Sequence, residues 1–191
     1  MSSPAIEVLI LCAKSKLKFN PLSALIEKEE KLGFTHFAIG IIYGGQIVIA
    51  EAVWPRPHFI SLDDWLKKHD PVFVFKKEVR NQFMMFEMMA WMSVIVTQAF
   101  YSVAQLVLIY LGITFPKLKA WSQTVKLNHQ HGLICSEFVC LFLNKFFDFQ
   151  IDKSEDSIGL KEPFDALTNT WVLQNQIQTA ALIHAYSKSG P

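Results

Sequence analysis

Cysteine is scarce in this chain. Cys12, Cys135 and Cys140 are the only three, an odd number that argues against a disulfide framework and for a reducing compartment. An excess of either charge is missing too. Lys and Arg total 18 against 17 Asp and Glu, for a formal net charge of +1, and no long basic block exists to hold nucleic acid. Gly-rich phosphate loops are absent. Cys135 and Cys140 do not form a Cys-x-x-Cys pair, and His129 with His131 lacks the helical i, i+4 spacing, so no zinc site and no cofactor are expected. There is no internal repeat and no low-complexity segment. The opening "MSSPAIEVLILCAKSK" has no basic n-region, and its apolar stretch is too short for the core of a signal peptide. A strand in a cytoplasmic protein is the expectation.

Hydrophobic side chains are plentiful. They make up 51% of the 191 residues, with 16 Phe and 5 Trp, enough for one domain over 1–191 with a substantial core. Phe83 to Phe115 is the longest apolar stretch and reads as one helix or a helix pair. Gln98, Ser102 and Gln105 would lie near one face of it as a narrow polar stripe. Its length alone could span a bilayer, so membrane contact and self-association both stay open. The methionines from Met84 to Met92 fall at helical spacing and suit a core or contact surface rather than a cofactor box.

The local patterns alternate between strand and helix. Ile6–Ala13 reads as a buried strand. Asn20 to Gly33 reads as a helix, with Asn20 as N-cap, Pro21 in the first turn and Gly33 as the stop. "THFAIGIIYGGQIVIAEAV" reads as a β-hairpin about Gly44-Gly45. A short helix follows, with Ser61 as N-cap and Pro71 at its end, then the strand "VFVFKKEV". After the apolar segment come a polar connection, Lys117 to His131, and a helix opened by Cys135 that ends near Asn144 to Phe149. Asn175 to His184 fits strand or helix equally. The order describes an α+β domain, a small antiparallel sheet packed against helices.

The hairpin makes a specific chemical expectation. A two-residue loop pairs Tyr43 with Gln46 and Ala38 with Glu51, which puts His36 and Glu51 on one face as diagonal neighbours. Their Cβ atoms would lie roughly 7–8 Å apart or less, within reach of a carboxylate meeting an imidazole. Glu51, between Ala50 and Ala52, needs solvent or such a partner. Cys135 at a helix start would have its thiolate favoured by the positive end of the helix dipole. A thiolate, an imidazole and a carboxylate form the general plan of nucleophile, base and orienting group. The backbone N–H groups of Cys135 and Ser136 would serve as oxyanion donors. Each residue also has a plain reading: Cys135 and Cys140 as core, His36 as a surface or satisfied histidine, Glu51 as a solvated strand end, Ser136 as a cap and Glu137 as a first-turn carboxylate.

The order of these parts resembles the circularly permuted NlpC-like papain-fold hydrolases, in particular the YiiX-like branch. The resemblance is carried by Thr35-His36 opening an apolar strand, Glu51-Ala52 on the next strand, and the late Cys135-Ser136-Glu137 helix. The lead-in "PLSALIEKEEKLGFTH" and the later "EPFDAL" extend it across approximately Ile6 to Leu167. It implies a permuted papain-like fold with Cys135 as nucleophile, His36 as general base and acid, and Glu51 orienting His36. It further implies hydrolysis of an amide bond (peptide, isopeptide or cell-wall type) through a thioester acyl-enzyme. A lipid ester hydrolase or acyltransferase of the same fold is the alternative, so the expected partner is a peptide-like or lipid acyl substrate. A non-catalytic binding or structural domain is the rival from another class. The sequence departs from the family before the cysteine, where His131-Gly132-Leu133-Ile134 replaces the usual aromatic residue, and in the strongly apolar Phe83–Phe115 segment.

Overall fold

A computed structural model describes residues 6–16, 31–102, 132–151, 159–174, 181 and 185–186. The helix expected from Asn20, the connection from Lys117 to His131 and nearly all of Asn175 to His184 lie outside them. Among the described residues the chain is mixed α+β, with a six-stranded antiparallel sheet and four helices.

The sheet is built around β1 (Ile6–Ser15), with β2 (His36–Tyr43) on one side and β5 (His69–Val79) on the other. β3 (Gln46–Glu51), β4 (His58–Ile60) and β8 (Val172–Gln174) complete the order β4-β3-β2-β1-β5-β8. β1 is apolar on both faces because both are covered. Ile6, Val8, Ile10 and Cys12 enter one core; Leu9, Leu11 and Ala13 enter a second on the opposite face. That explains a continuous apolar run where a half-exposed strand would alternate.

The second core is closed by α1 (Leu62–Lys68) through Leu62 and Trp65. Ser61 caps α1 as expected, its Oγ accepting from the Asp64 N–H at 3.1 Å. Pro71 does not end this helix: α1 stops at Lys68, and Pro71 lies within β5. There the register with β1 passes from Cys12–Phe73 to Ala13–Pro71, leaving Val72 as an extra residue. A bulge is one of the few sites in a sheet that accepts a proline, and it turns the strand locally.

The first core is closed by α2 (Gln82–Gln98), α3 (Cys135–Phe147) and α4 (Lys161–Thr168). Phe138 and Phe142 of α3 are wholly buried, each contributing about 1.5–3 kcal/mol relative to exposure. Trp91 of α2 stacks on Phe138 with centroids 5.9 Å apart. Met85, Met88 and Met92 turn into this core. Asp148, in the left-handed region at φ 55°, ends α3 with its N–H on the Leu143 carbonyl, within the expected limits.

The Phe83–Phe115 segment is not one continuous helix. The helix ends at Gln98, where extended Ala99 caps it by donating to Ile95 O. The chain then forms a two-residue strand, β6 (Phe100–Tyr101), parallel to β7 (Gly132–Leu133). Gln98 and Ser102 therefore share no helical stripe, and residues 103–115 are outside the described ones. Among the described residues no helix is long and apolar enough to cross a membrane.

Candidate active site

The hairpin has the register that a two-residue loop requires: Tyr43 pairs with Gln46 and Ala38 with Glu51. Gly44 and Gly45 both carry positive φ, 59° and 81°, the combination of a tight hairpin turn that matches strand twist. His36 and Glu51 are consequently on one face, and His36 Nε2 lies 2.9 Å from Glu51 Oε2. Both side chains are buried.

Cys135 is the first residue of α3, which packs on β2. Its N-cap is Ile134, extended and without a side-chain cap, and Phe138 N–H reaches Ile134 O at 2.9 Å. Ser136 is therefore not the cap; it is buried within the first turn, beside first-turn Glu137. Cys135 is close enough to His36 to act on the imidazole electrostatically. With Nε2 engaged by Glu51, Nδ1 is the ring nitrogen that the carboxylate does not hold. His36 thus bonds Glu51 and has Cys135 as an electrostatic neighbour, with Ser136 adjacent to it in the chain.

The surroundings of Glu51 hold residues that local sequence patterns did not pick out. Trp65 Nε1–H donates to Oε2 at 3.2 Å, and His69 Nε2 lies 3.1 Å from the same oxygen. His58 is directly opposite Glu51 in the β3–β4 ladder, with Nε2 3.3 Å from Oε1. That contact satisfies distance but not direction, since Oε1 has no hydrogen-bond partner. His69 is sandwiched, stacking on His36 with centroids 4.7 Å apart and on Trp65 at 5.0 Å. A buried carboxylate that needs several donors was the one available signal for these partners.

The electrostatics follow from these contacts. Burial alone would lower the His36 pKa, but the hydrogen bonds to Cys135 and Glu51 outweigh it and push the imidazole up to about 10. Burial would likewise raise Glu51; its hydrogen bonds with His36 and His69 instead hold the carboxyl well below the usual range. His69 moves the other way, its pKa lowered first by burial and further by the neighbouring His36 charge. Burial pushes the Cys12 thiol well up and that of Cys140 up to about 12, so both stay protonated at neutral pH.

Tyr101 is a further neighbour. Its N–H donates to Pro55 O at 3.0 Å, and Ser102 N–H donates to Leu133 O at 3.1 Å, tying β6 beside the strand that leads into α3. Burial first, and then proximity to Cys135, raise the phenol pKa, leaving a neutral hydroxyl near the sulfur.

His36, Glu51 and His69 have the residue types of a metal site, with one ligand atom from each within 4.8 Å of the others. Tetrahedral zinc at about 2.0–2.1 Å from nitrogen requires ligand atoms converging to roughly 3.4 Å. Here Glu51 Oε2 already takes donors from His36 and Trp65, with His69 Nε2 close by at 3.1 Å, and the two imidazoles lie face to face, 14° apart. That arrangement is a hydrogen-bonded carboxylate hub.

No protein-family model and no curated protein matches the chain.

Proposed function

We propose that this protein is a cysteine hydrolase with a permuted papain-like fold, cleaving an amide bond through a thioester at Cys135. One observation carries the reading: a cysteine at a helix start, electrostatically coupled to an imidazole whose Nε2 is held by a buried carboxylate. Glu51 keeps a proton on His36 Nε2, and Nδ1 holds the proton taken from the thiol, so the ring rests as an imidazolium beside the thiolate. The thiolate attacks the acyl carbon, and the carbonyl electron pair moves to oxygen. The Cys135 backbone N–H, at a helix start with no side-chain cap, is a donor to that oxyanion. Collapse breaks the C–N bond, and His36 gives its proton to the departing amine. Water, deprotonated by His36, then attacks the thioester. The acid leaves and the thiol recovers its proton.

A lipid ester substrate is the second reading. Phe83, Phe86 and Val94 are exposed on one side of α2, and Phe100 is exposed just beyond it, a surface suited to acyl chains. The thioester chemistry would be the same, with an alcohol leaving, or accepting the acyl group in transfer.

The deciding experiment is the pH dependence of iodoacetamide alkylation at each cysteine, followed by mass spectrometry, in wild type and His36→Ala. Cys135 alone is expected to react rapidly below pH 7 and to lose that reactivity without His36. A Cys135 no faster than Cys12 or Cys140, and indifferent to His36, means a non-catalytic domain. Turnover of amide-linked peptides against phospholipid vesicles, with Cys135→Ala as control, then separates the two substrate classes.

A further inference from the structure

We propose that His69 is a positioning residue for this site: its Nε2–H pins the Glu51 carboxylate and its ring fixes the plane of His36, so that His36 Nδ1 faces Cys135. The proposal rests on the hydrolase reading above and adds to it a residue outside the Cys135–His36–Glu51 set.

Three features carry it. First, Glu51 Oε2 is bonded by His36 Nε2 at 2.9 Å and Trp65 Nε1 at 3.2 Å, and His69 Nε2 approaches the same oxygen to 3.1 Å. A carboxylate bonded to His36 alone could rotate about its side-chain torsions; the Trp65 donor from α1 and the His69 ring close by from β5 restrict that freedom. Second, His69 lies face to face with His36, 4.7 Å between centroids and 14° between planes, and is backed on its other side by Trp65. Ala13 faces His36 across the β1–β2 ladder. It contributes only a methyl group there, so the two rings can meet over β1. The bulge at Val72 and the capping position of His69, whose N–H bonds Trp65 O, set the ring where it sits. Third, His69 Nδ1 is buried with no hydrogen-bond partner. A buried N–H without an acceptor is costly, whereas an unshared lone pair costs less. The proton therefore belongs on Nε2, which lies 3.1 Å from Glu51 Oε2. The charged or titratable groups acting on His69 are Glu51, His36 and Lys68; the two cations disfavour a second proton. A neutral ring can lie against an imidazolium, whereas a charged one would repel it.

Two measurements test this. The first is nitrogen-15 NMR of the histidine side chains in the intact wild-type protein. His69 is expected as the neutral Nε2–H tautomer from pH 6 to 8. The Nδ1–H tautomer, or an ordinary titration near pH 6.5, overturns the proposal. The second is the pH profile of Cys135 alkylation in His69→Gln, which keeps an N–H donor, and His69→Leu, which has none. With His69→Leu the acid limb is expected to move up by about one pH unit, a roughly tenfold slower reaction at pH 6, and His69→Gln to recover most of that loss. A merely structural residue would lower the melting temperature and leave the limb in place, and that result overturns the proposal. If wild-type Cys135 itself shows no fast, His36-dependent alkylation, the hydrolase reading falls and the positioning role with it. If that phase is present and His69→Leu leaves the limb unmoved, only the positioning role falls.

Discussion

His36 and Glu51 meet at 2.9 Å, Nε2 to Oε2, although the residue directly opposite Glu51 in the ladder is Ala38. The contact is diagonal. It exists because a small side chain occupies the direct position while a long carboxylate spans to the neighbouring one. His58 takes the direct position on the other side, from β4, so Glu51 is enclosed by histidines on both flanking strands.

Glu51→Gln tests how much the buried charge contributes. At pH 7 it is expected to cost about 3 kcal/mol, because the His36 and Trp65 donors lose a charged acceptor and His69 a charged neighbour. The folded Glu51 pKa lies below its unfolded value. Its contribution is therefore whole above about pH 4.3 and is lost as pH falls through the folded pKa. Urea unfolding from pH 7 down to pH 3 should show the gap between wild type and variant narrowing in acid. A gap that stays constant contradicts the assignment.

His36 gives the opposite sign. Its folded pKa, about 10, stands above the unfolded value of 6.5. Its stabilising contribution is complete below pH 6.5 and disappears as pH rises through about 10. Nitrogen-15 NMR should find the ring cationic at pH 7.5 in wild type, with its titration at least one unit lower in Glu51→Gln. An ordinary titration near 6.5 in wild type counts against the Cys135–His36–Glu51 arrangement.

Trp65→Phe keeps an aromatic ring against His69 but removes the Nε1–H donor to Glu51. Trp65 is wholly buried. The loss of a hydrogen bond to a charged acceptor, with a small cavity, should cost about 2–3 kcal/mol in urea unfolding. In a Glu51→Gln background the same substitution should cost less, by about 0.5 kcal/mol or more, since its acceptor is no longer charged and residues sharing one hydrogen-bond network couple by at least that much. Strict additivity would show that Trp65 only fills space.

The parts legible in the sequence were those set by short-range chemistry. Gly44 and Gly45 define a loop length, and the loop length defines the register that joins His36 to Glu51. Ser61 capped α1 because a hydroxyl three residues before an N–H can do so anywhere. What escaped was set by distant pairing. β4 is three residues long, so nothing local marked His58 as a strand neighbour of Glu51. His69 is aimed by a bulge that exists only once β5 meets β1. The apolar segment after Phe83 carries no proline or glycine before Gly112 to stop a helix, yet it breaks at Ala99 because Phe100 and Tyr101 pair with Gly132 and Leu133. The likeness of the Cys135 segment to a catalytic helix was legible as a pattern, whereas its meeting with His36 required the fold.

The hairpin turn separates stability from site chemistry, because it lies at the end of the hairpin opposite His36 and Glu51. A Cβ at Gly44 or Gly45 would meet nothing within 4 Å, so substitutions there act through backbone conformation alone. Gly44→Asn places a residue tolerant of positive φ in the first turn position, and stability should stay within about 0.5 kcal/mol of wild type. Gly45→Val forces a β-branched residue to φ 81°, at a cost of about 1–2 kcal/mol. If the strand register is secured by the cores on both faces of the sheet, this loss appears in urea unfolding while the pH profile of Cys135 alkylation is unchanged. A shifted profile in Gly45→Val would mean that the turn itself holds the register, because a one-residue slip would carry Glu51 to the face away from His36.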